Sequence, residues 1–186
     1  GTVWLAVHIG LEEYRAIKRI SKRDADYDTF RREALVLKEL RHPGIPMIYD
    51  LEEDSEFFYL IEEYLEGYSL YALIANQGPI QEAEAVRYGM QVCGLVAYMH
   101  SACELPILHL DLQPNNLIIC NGTVKLIDFD HAAGCRWANI APKRFGTVGC
   151  AAPEQYASDR MLDQRTDIYA IGAVLRFMTA GTLREE

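Results

Sequence analysis

The dipeptide Asn121-Gly122 joins two short apolar segments, 117–120 and 123–127, and no other feature constrains the fold of this chain as strongly. Asn-Gly favours the tight turn of a two-residue β-hairpin, because both residues readily adopt left-handed backbone conformations. In the resulting register, Asn116 and Asp128 leave the two strands side by side, at the end away from the turn. The sequence therefore predicts a hairpin with an amide and a carboxylate at its open end.

These two side chains have the chemistry of a metal site. Carboxylate and amide oxygens suit a hard divalent cation, and Mg²⁺ in particular combines few protein ligands with phosphate oxygens. Asp111 precedes Asn116 by five residues, in the segment His109-Leu110-Asp111, and adds a second carboxylate nearby. A carboxylate that is not a metal ligand can orient a substrate hydroxyl and accept its proton. Each residue alone is more typical of a turn, but their convergence indicates a catalytic site.

A second constellation lies near the beginning of the chain. Glu33 falls within the apolar stripe of a predicted helix, between Phe30 and Leu37. A carboxylate that faces a core is costly unless it is paired. Lys18 interrupts a predicted strand and can supply that partner. From charge alone, a surface ion pair is an equally good interpretation.

The order of predicted elements changes along the chain. Alternating and β-branched residues predict strands at 1–7, 14–20, 45–51 and 57–63. Helical periodicity predicts helices at 29–40, 81–101 and 166–180, and the last two are apolar on nearly every side, which predicts that they are buried. A strand-rich beginning followed by helices indicates an α+β fold with two lobes.

Composition excludes several classes of protein. The formal charge of −9 argues against a general nucleic-acid binder, which would need a basic face. No apolar run approaches the ~18 residues of a membrane span, and no signal peptide opens the chain. The cysteines form neither a CxxC pair nor a metal-binding spacing, so we expect free thiols in a reducing cytoplasm. They are Cys93, Cys103, Cys120, Cys135 and Cys150.

Six motifs then carry a family resemblance. They are AIK (16–18), EEYLEGYSL (62–70), HLDLQPNN (109–116), DFD (128–130), GTVGCAAPE (146–154) and DIYAIG (167–172). In this order and at these spacings they resemble the signature set of protein kinases, in particular bacterial serine/threonine kinases of the eukaryotic-like type. The resemblance implies one kinase domain over 1–186, with a β-rich N-lobe at 1–64 and a mainly helical, partial C-lobe at 65–186. It also implies that the fold is incomplete at both ends of this chain.

The resemblance assigns a role to each matching position. Lys18 would hold the α- and β-phosphates of ATP and pair with Glu33, and Asp111 would be the catalytic base. Asn116 and Asp128 would hold Mg²⁺, and Thr147 would brace both Asp111 and the substrate backbone. Asp167 would orient the catalytic loop through its backbone. The segment 62–70 would be the hinge between the two lobes. The adenine would contact the backbone of this hinge and lie between apolar side chains of the two lobes. The residues implied for this pocket are Glu63, Leu65, Val3, Ala16 and Ile118. For the last three, the alternative is plain core packing, which a position in the pocket does not exclude.

Several positions depart from the family pattern. Leu110 replaces the arginine that receives a phosphorylated activation loop, and residues 131–145 contain no Ser, Thr or Tyr. We therefore expect no switching by phosphorylation of that loop. Gln113 replaces a lysine that steadies the transferring phosphoryl group, and its loss should slow chemistry more than ATP binding. Asp130 replaces a glycine, and it could stiffen the turn, recruit a cation or repel phosphate. Glu62 places a charge at a position behind the adenine pocket that is normally uncharged.

Three functions are compatible with this pattern. The first is an ATP- and Mg²⁺-dependent kinase that phosphorylates serine or threonine of a protein substrate. The second is a pseudokinase that binds ATP and acts as an interaction module, favoured by Leu110, Gln113 and Asp130. The third is a small-molecule kinase. The segment 146–154 argues against it, because we expect this segment to form the surface on which a peptide substrate lies. The arginine that usually pairs with the acid at Glu154 lies outside the chain, so we expect an unpaired Glu154 to destabilise the larger lobe.

Overall fold

A computed structural model describes residues 1–25, 27–134, 145–157 and 161–183. Its first part is a four-stranded antiparallel sheet in the order β1-β2-β4-β3. The strands are β1 (Thr2–His8), β2 (Glu13–Ser21), β3 (Ile48–Glu53) and β4 (Phe57–Glu63). Each overlaps a predicted strand.

Helix α1 (Tyr27–Glu39) packs its apolar stripe against this sheet. Phe30 of α1 stacks on Phe58 of β4 at a distance of 4.9 Å between ring centroids. Glu33 projects from the same buried face of α1, and Lys18 lies in the middle of β2. The sheet and the helix thus bring the lysine and the glutamate towards the same interior.

The predicted hairpin is present with the predicted register. Strand β7 (Leu117–Cys120) pairs with β8 (Thr123–Leu126), so that Cys120 faces Thr123. The turn residues Asn121 (φ 49°) and Gly122 (φ 80°) both have left-handed backbones, as the mirror-image turn of a two-residue hairpin requires. Three further two-residue strands complete the described sheets, with β5 (Tyr68–Ser69) paired to β7 and β6 (Ile107–Leu108) paired to β9 (Ala133–Gly134).

The rest of the described chain is mainly helical. The helices are α2 (Leu70–Gln77), α3 (Glu82–Ser101) and α4 (Gln164–Ala180), and two short 3-10 turns lie at Pro114–Asn116 and Pro153–Gln155. Ser69 caps α2, because its Oγ accepts a hydrogen bond of 3.0 Å from the backbone N–H of Ala72. Helices α3 and α4 pack against each other and against β6, and α3 also packs against β8 of the hairpin.

The expectation that α3 and α4 are buried on nearly every side is wrong. In α3, Val86 and Met90 are 51% and 71% exposed, and in α4 Ile168 is 55% exposed. These side chains lie opposite the buried stripe of each helix, which recurs with helical spacing. Each of the two helices therefore has one buried face and one exposed face, although apolar residues occur on both faces.

Buried apolar side chains form one core that runs from the sheet and α1 through the hairpin to α3 and α4. A second, smaller cluster consists of Leu108, Leu110 and Leu162, with Ala133 and Phe145 packed against it. Leu110 of this smaller cluster immediately precedes Asp111 in the chain. Among the described residues, none of the helices has the length and apolar character that a membrane span needs.

Candidate active site

Lys18 lies at the centre of an acidic cluster. Its Nζ is 3.1 Å from each carboxylate oxygen of Glu33 and 2.9 Å from Oδ1 of Asp128. A third carboxylate, Oδ1 of Asp130, lies 2.5 Å from the same nitrogen. Lys18 is 8% and Glu33 3% exposed, so the pair is a buried ion pair and the alternative of a surface pair is excluded. Asp130 is an additional partner that the sequence did not predict.

Charge and burial compete in this cluster. Burial lowers the pKa of Lys18, but attraction by Glu33, Asp128 and Asp130 outweighs burial and leaves that pKa raised. Burial also raises the pKa of Glu33 to about 9, and its hydrogen bond to Asp130 adds to the rise. For Asp130, whose side chain is more exposed, the hydrogen bond from Glu33 and the nearby ammonium overcome the effect of burial and lower the pKa. Burial and the carboxylate of Asp130 thus raise the pKa of Glu33, and the ammonium of Lys18 opposes that rise.

The hairpin brings Asn116 and Asp128 to the same end of its strands, as the register predicted. The backbone N–H of Ile127 donates to the carbonyl of Asn116 at 2.9 Å, which extends the pairing of β7 and β8 by one residue. Asp128 has a left-handed backbone (φ 63°), a conformation that aspartate tolerates better than most residues. The next residue, Phe129, donates its backbone N–H to Oε1 of Glu33 at 3.3 Å. This contact ties the turn after the hairpin to α1.

The carboxylate of Asp111 is held from several sides. Its Oδ1 accepts a hydrogen bond of 2.8 Å from the hydroxyl of Thr147. Its Oδ2 accepts from the side-chain amide of Gln113 at 2.9 Å and from that of Asn116 at 3.2 Å. Asn116 also donates to the backbone carbonyl of Asp111 at 2.9 Å. The arrangement fixes the direction of this carboxylate and joins it to the segment that begins at Gly146.

A buried aspartate positions the loop that carries Asp111. Asp167, 1% exposed, accepts the backbone N–H groups of His109 and Leu110 at 3.0 and 2.9 Å. The ring Nε2 of His100 lies 2.8 Å from Asp167 and completes its set of partners. Leu110 has a left-handed backbone (φ 67°), which is strained for a leucine. The predicted role of Asp167 in orienting this loop is confirmed by these contacts, whereas His100 was missed because no sequence pattern links α3 to α4.

A cleft of about 250 Å³ lies between the sheet and the hairpin. It is lined by all of the residues expected to contact adenine, Val3, Ala16, Glu63, Leu65 and Ile118, and also by Lys18, Glu33, Glu62 and Asp128. Val3 is 63% exposed, so the alternative that it is plain core is wrong. Val3, Ala16 and Ile118 give the cleft an apolar part, whereas its inner end is acidic and Lys18 is the cation among its lining residues.

Glu62 lies in β4 at the inner wall of the cleft. Burial raises the pKa of its carboxyl to about 7, while Lys18 opposes the rise and Asp128 and Asp130 add to it. The carboxyl is therefore partly protonated near neutral pH. Whether Glu62 carries a charge therefore depends on pH, which the sequence alone did not show.

One departure from the family pattern, Leu110, has a local structural explanation. Leu110 is 3% exposed and belongs to the small apolar cluster with Leu108, Leu162 and Phe145. A hydrophobic contact therefore stands where an arginine would receive a phosphate, in agreement with the absence of hydroxyls in that part of the sequence. Residues 135–144 of this segment, with Cys135, lie outside the described residues. The expectation that Glu154 is unpaired is wrong, because Thr166 donates its hydroxyl to Glu154 at 3.0 Å.

The side chains at the hairpin end fit a hard divalent cation. Both hydrogen bonds of the Asn116 side chain use its Nδ2 group, so Oδ1 is the atom that can serve as a ligand. Asp128 contacts Lys18 through Oδ1 only, which leaves Oδ2 for a cation. Amide and carboxylate oxygens are the donors that Mg²⁺ and similar ions prefer.

Comparison with known proteins agrees with this geometry. The family model described as the protein kinase domain matches residues 1–184. The chain is 34% identical to the serine/threonine-protein kinase PrkC of Bacillus subtilis, over 97% of this chain and 28% of that protein. It is 32% identical to Aurora kinase of Eremothecium gossypii (98% of this chain, 50% of that protein) and 31% identical to calcium-dependent protein kinase 5 of Plasmodium falciparum (97% and 32%). The chain thus spans between about a quarter and a half of the length of these curated relatives.

Proposed function

This chain belongs to the protein kinase domain family, and we propose that it is the catalytic part of a protein that transfers the γ-phosphate of ATP to serine or threonine. Members of this family use ATP and a divalent metal. The observation that carries the proposal is the position of Asp111, whose carboxylate is oriented by Thr147, Gln113 and Asn116. A base fixed in this way can accept the proton of a hydroxyl without first reorganising its surroundings.

The remaining roles follow from the positions around this base. We propose that Lys18, paired with Glu33, holds the α- and β-phosphates, and that Thr147 both braces Asp111 and meets the substrate backbone. We propose that adenine lies between Val3, Ala16 and Ile118 and contacts the backbone of Glu63 and Leu65. Their common position along one cleft supports these roles.

We propose Mg²⁺ as the divalent ion, with Asn116 and Asp128 as the residues that hold it. When bound, the ion would neutralise charge on the phosphate oxygens. Lys18, whose Nζ lies 2.9 Å from Oδ1 of Asp128, would supply a positive charge to the same oxygens, and Asp111 would accept the substrate proton. Gln113 replaces a cation with a neutral amide, so the charge available to the transferring phosphoryl group is lower than in most family members.

A protein substrate is favoured over a small molecule by the segment 146–154. Its Thr147 donates to the base at 2.8 Å, so an acceptor chain lying along this segment would present its hydroxyl to Asp111. We further propose a division into a smaller lobe at 1–64 and a larger lobe at 65–186, and a bacterial cytoplasmic setting. The similarity to the Bacillus subtilis kinase and the free thiols among the described cysteines support that setting.

The test is transfer of label from γ-labelled ATP, with Mg²⁺, to a generic protein acceptor. Asp111→Asn should lower the rate by on the order of 10²–10⁴-fold, the usual contribution of a general base, while ATP binding is retained. Glu52→Gln removes an exposed carboxylate of β3 and is the matched control, for which we expect unchanged transfer. Transfer that survives Asp111→Asn would refute the assigned base. ATP binding without any transfer would refute the kinase and favour the pseudokinase.

A further inference from the structure

Gln155 is a fully buried polar side chain next to the catalytic loop. It lies at the end of the 3-10 turn Pro153–Gln155 and is 1% exposed. A buried amide is costly unless its donor and acceptor groups are satisfied. The partners of this amide therefore indicate which parts of the chain it holds together.

The partners of Gln155 are backbone groups of three residues in two separate segments. Its Nε2 donates to the carbonyl of Leu110 at 2.7 Å and to the carbonyl of Phe145 at 3.2 Å. Its Oε1 accepts the backbone N–H of Ala152 at 2.9 Å. One side chain thus links the catalytic loop to both ends of the segment 145–152.

These contacts are adjacent to the groups that meet at the proposed base. Leu110 immediately precedes Asp111, and Phe145 lies two residues before Thr147, whose hydroxyl donates to Asp111. The packing leaves little freedom, because a Cβ on Gly146 would lie 2.9 Å from Nε2 of Gln155 and 2.6 Å from Cβ of Ala151. A shift of either segment would change the Thr147–Asp111 contact.

We propose that Gln155 is a positioning residue. Its side-chain amide sets the distance between the loop that carries Asp111 and the segment 145–152, and thereby aligns Asp111 with Thr147. The inference rests on the proposed function. It also explains how the loop is kept in place with Leu110 in a strained backbone conformation, since Gln155 binds the carbonyl of that residue while Asp167 binds its N–H. An arginine bound to phosphate is not needed for this alignment.

The proposal is tested with two substitutions of similar size. Gln155→Met removes all three hydrogen bonds, and Gln155→Glu keeps an acceptor for Ala152 but loses the NH₂ donor. A carboxyl that faces two carbonyl oxygens in a buried site has a raised pKa, and when protonated it can donate to one of them. We expect kcat to fall roughly 10- to 100-fold for both variants, the scale of a small misplacement, with ATP affinity retained. The ratio of kcat for Gln155→Glu to kcat for the unmodified protein should rise as the pH falls from about 8 to about 6, whereas the ratio for Gln155→Met should stay flat.

Gln91 provides a matched control within the same chain. Its side chain donates to the carbonyl of Gly122 at 3.1 Å and accepts the N–H of Val124 at 2.9 Å, at the closed end of the hairpin. Gln91→Met and Gln91→Glu therefore remove similar backbone contacts away from the catalytic loop. We expect neither to change kcat in a pH-dependent way. Equal and pH-independent losses in the two Gln155 variants would show that the donor to Leu110 and Phe145 does not control the alignment, and that result would overturn the proposal.

Hydrogen exchange gives a readout that does not depend on phosphoryl transfer. In Gln155→Met, the amide of Ala152 and its neighbours in 146–152 should exchange faster, while α3 and α4 keep their protection. If the unmodified protein transfers no phosphate, the proposed function fails. Unchanged hydrogen exchange in Gln155→Met would then also refute the proposal that Gln155 holds the two segments together. Full activity in both Gln155 variants, in a protein that does transfer phosphate, would overturn the positioning role alone.

Discussion

Replacing Glu62 with glutamine should stabilise the protein, by an amount that depends on pH. The pKa of the Glu62 carboxyl rises from an ordinary value of 4.5 to about 7, first because of burial. At about 1.4 kcal/mol per pKa unit, this difference corresponds to roughly 3 kcal/mol of unfolding free energy. Glutamine keeps the shape of the protonated acid but cannot ionise. Glu62→Gln should therefore not lose this unfolding free energy when the pH rises.

The sign of the effect follows from proton binding. Below about pH 4.5 the carboxyl is protonated in both the folded and the unfolded chain, and pH has no effect through this group. As the pH rises from 4.5 to about 7, the unfolded chain loses the proton while the folded chain retains it, so stability falls. Above about 7 the folded carboxyl also ionises and the loss levels off. Glu62→Gln should therefore match the unmodified protein in mild acid and exceed it by up to roughly 3 kcal/mol in mild alkali.

The assay is urea unfolding of both proteins at a series of pH values, with the difference in unfolding free energy plotted against pH. Taking the difference removes the titration of Glu33 and other groups that the two proteins share. Glu66→Gln, which neutralises an exposed acid of the same region, is the matched control and should give a nearly flat difference. Parallel curves for Glu62→Gln and the unmodified protein would refute a raised pKa for the carboxyl of Glu62.

Three further predictions concern the catalytic loop and its surroundings. Asp130→Gly should tighten binding of MgATP by roughly 2- to 5-fold in calorimetry, because a partly exposed ion pair with Lys18 no longer competes with phosphate, and weaker binding would contradict this. Leu110→Ala should lower the unfolding free energy by about 2–5 kcal/mol in urea, whereas Leu105→Ala, 48% exposed, should change it little. Asp167→Ala should cost roughly 2–6 kcal/mol, since two buried backbone N–H groups lose their acceptor, and an unchanged unfolding midpoint would refute that role.

The parts of the site that the sequence predicted are those with local causes. Asn121-Gly122 determines its own turn, and the register of that turn then places Asn116 and Asp128 without knowledge of the rest of the chain. The sequence predicted that Lys18 could pair with Glu33, but it did not predict that the pair is buried. Periodicity placed Glu33 on a core-facing stripe, but the depth of burial that excludes a surface pair depends on how α1 packs on the sheet.

What the sequence did not predict depends on contacts between distant segments. The partner of Asp130 is Lys18, 112 residues away, and nothing in either local sequence distinguishes that contact from a bound cation or a stiffened turn. The exposure of Val86 and Met90 was missed because average apolarity hides which side of α3 faces α4. His100 and Gln155 act through side-chain contacts to backbone groups and to Asp167, which leave no pattern in the sequence.

The departures from the family pattern differ in their consequences, because only some of them are compensated locally. Leu110 gains an apolar cluster, and Gln113 keeps a hydrogen bond of 2.9 Å to Asp111, so both preserve the geometry of the base. Asp130 adds negative charge beside Lys18, the group proposed to hold phosphate. Leu110 and Gln113 therefore keep the proposed base aligned, although Gln113 supplies no charge to the transferring phosphoryl group, and we expect Asp130 to weaken the engagement of the nucleotide phosphates. A divalent cation bound to the nucleotide offsets this charge, so transfer by this protein should depend more steeply on the concentration of that cation than transfer by its Asp130→Gly variant.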